Sequence, residues 1–113
     1  MIAHIAITPA ARTVTVSAAG ETVATSANAL ELREGSYPPV LYIPKHDIDM
    51  SRLARTATRS HCPHKGDASY WTVSTATGAV ADAGWSSDAP FDAVAEIKDH
   101  IAFYPSKVRI ETS

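Results

Sequence analysis

The sequence predicts a mainly β protein: a single-domain antiparallel β-sandwich or small open barrel with two short helices, spanning residues 1–113. Three observations carry this expectation. Apolar and polar residues alternate in the first half, at Ile5 and Ile7 and again at Val14 and Val16, the period of two that marks half-buried strands. Turn signals recur at short intervals, at Ala18-Ala19-Gly20, Tyr37-Pro38-Pro39 and Thr77-Gly78. No strand–helix–strand alternation, internal repeat or low-complexity run interrupts them, so the arrangement is mainly antiparallel.

The elements follow in order. Ile5 to Thr8 and Thr13 to Ser17 read as strands, and Glu21 to Thr25 returns after the first turn as a hairpin or meander. Ala29 to Glu34 alternates like a strand, although its composition also suits a helix. Pro38 and Pro39 interrupt the backbone pattern, since proline donates no hydrogen bond and restricts the residue before it. Val40-Leu41-Tyr42-Ile43 is a continuous apolar run ended by Pro44, as in a buried strand. Asp47 is placed to N-cap a short helix through Arg52 or Leu53. Thr56 to Arg59 is β-prone, Ala68 to Val73 is a strand, and Ala79 to Ala83 returns after Thr77-Gly78. On the Ala68 strand, Tyr70 and Trp71 should face opposite ways. Asp88 can cap a second helix carrying Pro90, Phe91, Val94, Ala95 and Ile97 at helical spacing, with His100 near its negative end. Ile101 to Tyr104 and Lys107 to Ile110 close the chain as strands, the last able to pair with an early one. The count is about eight short strands.

Composition bounds the function classes. At 113 residues, 45% hydrophobic and 19% charged, the chain suits one globular domain. Ten Lys and Arg against twelve Asp and Glu give a net charge of -2, without the basic face that nucleic acid demands. Arg52, Arg55 and Arg59 can form only a local stripe, which is usually solvated. One cysteine excludes an internal disulfide and suits a reducing compartment, so a cytoplasmic location is expected. The N-terminus lacks a basic segment followed by an apolar one, so no signal peptide is expected. No apolar run approaches the ~20 residues of a membrane helix, and no membrane partner is expected.

Reactive side chains are densest in Ser60-His61-Cys62-Pro63-His64-Lys65-Gly66-Asp67-Ala68-Ser69-Tyr70-Trp71. The stretch from Cys62 to Tyr70 resembles the hallmark of domain of unknown function family 427, close to Thr-x-Cys-Pro-Tyr-Lys-Gly-x-Ala-x-Tyr. Tyr42-Ile43-Pro44 with Asp47, Trp85 with Pro90, and Ala102-Phe103-Tyr104 match in the same order, and Glu34 before Pro38-Pro39 also fits. Nearly the whole chain is covered. Ser60 stands near the family's usual Thr, His64 replaces an aromatic, and Ser86 stands where many members carry an aromatic. The resemblance implies a β-tent-like architecture, shared with B-type methionine sulfoxide reductases and zinc-bearing regulatory domains. Those relatives often hold zinc through paired Cys-x-x-Cys motifs, which are absent here, so no structural zinc is implied. Family-level labels suggest nucleotidyltransferase-like activity, without residue-level roles to carry over.

Read residue by residue, the segment offers several chemistries. Cys62 is a candidate nucleophile or redox thiol, its thiolate favoured by Lys65 and a protonated His61 or His64; His61 can equally act as its base. Buried, Cys62 would be only a small hydrophobe. His61, His64 and Cys62 carry metal-capable atoms that Asp67 or Asp47 can supplement, but their spacing does not demand a tetrahedral site, and no metal is expected. Lys65-Gly66-Asp67 reads as a turn whose backbone N–H groups, with Lys65, hold a phosphate or carboxylate; the plain alternative is a hairpin turn. Tyr42, Tyr70, Trp71 and Trp85 can stack a flat ligand or fill the core, with Tyr70 favoured for the site. Glu34 and Asp47 are further ligand-binding candidates as acid/base groups. The leading expectation is a small-ligand-binding domain, acting on a nucleotide or other phosphorylated metabolite, with its cofactor unknown. The rivals are a cysteine-dependent enzyme using Cys62 with His61 or His64, and a non-catalytic module that forms a homodimer through an edge strand.

Overall fold

The computed structural model describes residues 5–62 and 66–113, and within them every side chain except those of Cys62 and Ala93. Among the described residues there are ten strands: β1 (Ile5–Pro9), β2 (Val14–Ala18), β3 (Glu21–Ser26), β4 (Leu30–Glu34), β5 (Val40–Pro44), β6 (Leu53–Cys62), β7 (Gly66–Thr75), β8 (Gly78–Ser86), β9 (His100–Phe103) and β10 (Arg109–Thr112). They form two antiparallel sheets and no closed barrel. The larger runs β1-β4-β5-β9-β8-β7-β6, and the smaller runs β10-β2-β3. The last strand does pair with an early one, Ile110 opposite Val16.

The alternation in the sequence becomes the core. Val14 and Val16 are wholly buried while Thr15 and Ser17 are not. They pack with Val23, Ile43, Val73, Ile101 and Phe103 in one cluster that draws on both sheets. Each such side chain contributes roughly 1.5–3 kcal/mol by leaving water. A second cluster, Leu32, Tyr42, Val94, Ile97 and Ala102, has Trp85 packed against it. Ile43 and Tyr42 are neighbours on β5 and fall in different clusters, as strand alternation requires.

Both predicted helices are short 3₁₀ turns. After β5 the chain makes two of them, Lys45–Asp47 and Met50–Arg52. Asp47 lies inside the first and caps neither; its carboxylate accepts from the Ser26 hydroxyl at 2.5 Å. The cap of the second is Asp49, which accepts from the Ser51 amide at 3.2 Å. The third turn, Asp92–Ile97, is broken at Val94 by non-helical dihedrals. Val94 and Ile97 are both 0% exposed, whereas Ala95 is exposed. Two inward positions three apart fit the 3₁₀ repeat as well as an α-helix. Asp88 cannot cap this turn because its carboxylate is held by the hairpin of β6 and β7, and His100 begins β9 instead of ending a helix.

Candidate functional site

Register builds the site. In the β6–β7 hairpin, Ser60 is opposite Ala68, Cys62 opposite Gly66, and His61 opposite Asp67. Gly66 and Asp67 are therefore strand residues rather than the body of a turn. One row crosses four strands: Tyr42 on β5 pairs with Ala102, Ala102 with Trp85, and Trp85 with Tyr70. Residues in register on neighbouring strands share a face, so this row gathers three aromatic residues on one side of the larger sheet.

On that side Ser60, Gly66, Tyr70, Trp85, Ser87 and Tyr104 surround a cleft of about 160 Å³. Trp85 and Tyr104 pack with ring centroids 4.4 Å apart. The Tyr70 hydroxyl lies 2.9 Å from Ser60 Oγ. Burial, then the adjacent Tyr70 phenol, push Tyr104 up to about 12, so at neutral pH it keeps its proton and can donate a hydrogen bond. Gly66 has φ +102°, and a Cβ there would sit 3.2 Å from the Ala89 carbonyl oxygen. Only glycine lets the Ser87 to Phe91 segment come this close.

Tyr70 and Trp71 part as alternation requires. Trp71 is 7% exposed in the main core, its Nε1–H donating to Ser86 Oγ at 2.9 Å. Its ring lies beneath two cations, Arg55 at 4.7 Å and Lys45 at 5.3 Å. Both cations pair with Asp88, which also accepts from Ser69 and Ser86. Burial pushes the Asp88 carboxyl up, but donors from Arg55, Ser69 and Ser86 outweigh it and hold the group below its usual value. A carboxylate depressed on folding stabilises the protein above its unfolded pKa of about 4 and loses that contribution as pH falls through the folded value. Urea titrations below pH 4 should therefore show wild-type stability falling more steeply than that of Asp88→Asn; parallel profiles would remove Asp88 from the acid response.

On the hairpin's other side lie His61 and Asp67, both exposed, with Nδ1 and Oδ1 2.7 Å apart. A carboxylate only accepts, so Nδ1–H donates to Asp67. Phe91 meets the imidazole edge-on at 6.3 Å. His61, Asp67, Arg59 and Asp88 border an open depression of about 620 Å³.

The remaining candidates are scattered. Tyr42 is 0% exposed and underlies Trp85, whose Nε1–H points to the Tyr42 hydroxyl at 3.3 Å; it supports the cleft instead of lining it. Asp47 is bound to Ser26, and Glu34 ends β4 opposite Ile5; neither borders the cleft. Lys65, His64, Pro63 and the Cys62 side chain lie outside the described residues. The three arginines form no free basic stripe. Arg52 pairs with Glu21 and Asp49, Arg55 with Asp88, and Arg59 donates to the Thr56 and Thr58 carbonyls. Sequence reasoning missed Tyr104, Ser60 and Ser87 as cleft residues. Tyr104 stood only within the motif Ala102-Phe103-Tyr104 and Ser60 only at the head of the dense Ser60 to Trp71 stretch, while nothing in the sequence marked Ser87.

Among the described residues, no helix is long and apolar enough to cross a membrane. No curated protein matches the chain. A family profile does, over residues 6–113, and its span takes in every strand from β2 to β10 together with the whole cleft. The chain belongs to the family described as Domain of unknown function (DUF427).

Proposed function

We propose that this protein binds a small molecule with a flat ring and an anionic group, a nucleotide or other phosphorylated metabolite, at the β6–β7 hairpin. The observation that supports this reading is the convergence of Tyr70, Trp85 and Tyr104 with the serine hydroxyls around one cleft. Aromatic walls stack any base, and the hydroxyls orient its polar edge. At about 160 Å³ the cleft is smaller than the roughly 300–1,000 Å³ of a drug-sized site, so it takes a ring rather than a whole nucleotide. The rest of the ligand extends out of the cleft past Gly66. Lys65 directly precedes Gly66 in the chain, and the reading assigns the anionic group to it. The net charge of -2 does not oppose this, because anion binding is local.

A second reading, a cysteine-dependent enzyme, is favoured by the His61–Asp67 pair, which holds an imidazole through Nδ1 beside Cys62 in sequence. One experiment separates the two. Thermal melts are run with nucleosides and their phosphates on wild type, Lys65→Ala and Cys62→Ser. At a hundredfold excess over Kd, a true ligand stabilises by about 2.7 kcal/mol. The first reading expects a phosphorylated ligand to stabilise wild type and Cys62→Ser but to lose its advantage over the nucleoside in Lys65→Ala. No stabilisation of wild type by any phosphate would sink that reading. A native thiol that alkylates well below pH 8.5, with wild type and Lys65→Ala indistinguishable, would promote the second.

A further inference from the structure

A different surface of the molecule carries a second site. Between the larger sheet and β10 runs an apolar groove of about 550 Å³, walled by Tyr37, Pro38, Val40, Phe103 and Ile110. Tyr37 is 73% exposed, the most exposed large hydrophobic residue among those described. Pro39, Leu41 and Thr112 line this groove and also a neighbouring depression of about 430 Å³. The two depressions therefore adjoin along these residues, one apolar and the other charged. The far end carries Arg12, Arg33 and Glu31. Arg33 pairs with Glu31 at 3.0 Å, which leaves the Arg12 guanidinium without a carboxylate partner among the described residues. Of the three charged side chains that line that end, two are cationic and one is anionic, while the groove itself offers almost no polar side chain.

From this pairing of an apolar trough with an unpaired guanidinium we infer that the two adjoining depressions bind a single-chain aliphatic carboxylate. The chain would lie along Tyr37, Leu41 and Ile110, and the head would meet Arg12. A flexible alkyl chain suits a wall of prolines and aromatic rings because it needs no hydrogen-bond partner and gains from area alone. The one guanidinium there without a carboxylate partner among the described residues suits a monoanion. Trp85 borders both this groove and the aromatic cleft, so it reports occupancy without belonging to the charged end.

The test is a titration of the full chain with decanoate below its micellar concentration, followed by amide and indole NMR shifts and by tryptophan fluorescence. Decanol serves as the uncharged control and decylamine as the reversed charge. Saturable shifts confined to the groove, with decanoate tighter than decanol and decylamine weakest, are expected. Arg12→Glu, at an exposed site, should weaken decanoate by about fivefold and leave decanol unchanged, the upper end of what an exposed ion pair is worth. Tyr37→Ala, also exposed and outside the core, should weaken both. Equal binding of the three probes, or shifts spread over the whole protein, would overturn the proposal. So would a peptide ending in a C-terminal leucine that binds where decanoate does not. Sedimentation at the titration concentration closes the remaining route: a dimer dissociated by Tyr37→Ala would make a second copy of the chain the occupant.

Discussion

Tyr42→Ala should destabilise the protein by about 3–5 kcal/mol, the cost of deleting a buried aromatic ring. Tyr42 is 0% exposed and packs with Leu32, Val94, Ile97 and Ala102, so there is little room for the site to collapse around the lost ring. It also holds Trp85, meeting its ring edge-on at 6.4 Å and receiving its indole N–H. Against a typical total stability of about 5–15 kcal/mol, such a loss brings the variant near unfolding. Tyr42→Phe keeps the ring and should cost only about 1 kcal/mol, one hydrogen bond. Equilibrium urea melts of both variants give the two values. The pair also decides what Tyr42 does. If it supports the cleft, Tyr42→Phe keeps ligand-induced stabilisation at the wild-type level. A loss of binding in Tyr42→Phe without a loss of stability would make the Tyr42 hydroxyl part of the site.

What could be read from the sequence depended on how local each cause is. Alternation at Ile5-Ile7 and Val14-Val16 marks strands because burial of one face acts residue by residue. The opposed faces of Tyr70 and Trp71 follow from the same geometry. The helices were misread for a related reason. Phe91, Val94 and Ile97 are spaced by three, which both helix types share, and only tertiary contacts choose between them. Asp88 looks like a cap in sequence because a cap needs just a carboxylate before a proline. In the fold, Arg55 from 33 positions upstream claims that carboxylate. The cleft was half legible. Gly66, Tyr70 and Trp85 stood as candidates in recognisable strings; Ser60 and Tyr104 stood in such strings too, but only the register of β6 with β7 and the packing beside β9 bring them, with Ser87, to the cleft. Asp47 and Glu34 show the converse: acidic residues near a motif in sequence, bound elsewhere or set at a strand end in space.

Gly66→Ala should combine two penalties that other glycines carry singly. Its φ of +102° is a conformation side chains rarely adopt, and holding an alanine in it costs roughly 1–2 kcal/mol by the handedness of L-residues. The new methyl would also stand 3.2 Å from Ala89 O and 3.7 Å from Phe91 N, both backbone atoms that yield only if the segment shifts. Gly78→Ala is the control for the first penalty, with φ +138° and nothing within 4 Å. Gly84→Ala is the control for the second. It has no positive φ, but its Cβ would meet Ala102 O at 3.0 Å and Phe103 Cδ1 at 3.2 Å inside the sheet, where overpacking costs about 1–3 kcal/mol. Gly66→Ala should therefore exceed Gly78→Ala by the cost of the Ala89 contact, reaching about 2–5 kcal/mol in all. The displaced segment includes Ser87 and Asp88, so the variant should also disturb the cleft and the carboxylate that Arg55 holds. Amide shifts in Gly66→Ala should accordingly spread to Ser86 and Ser69, while those of Gly78→Ala stay at the β7–β8 turn. Equal destabilisation with equally local shifts would mean that the close approach of the two backbones contributes nothing, and that Gly66 serves the hairpin's conformation alone.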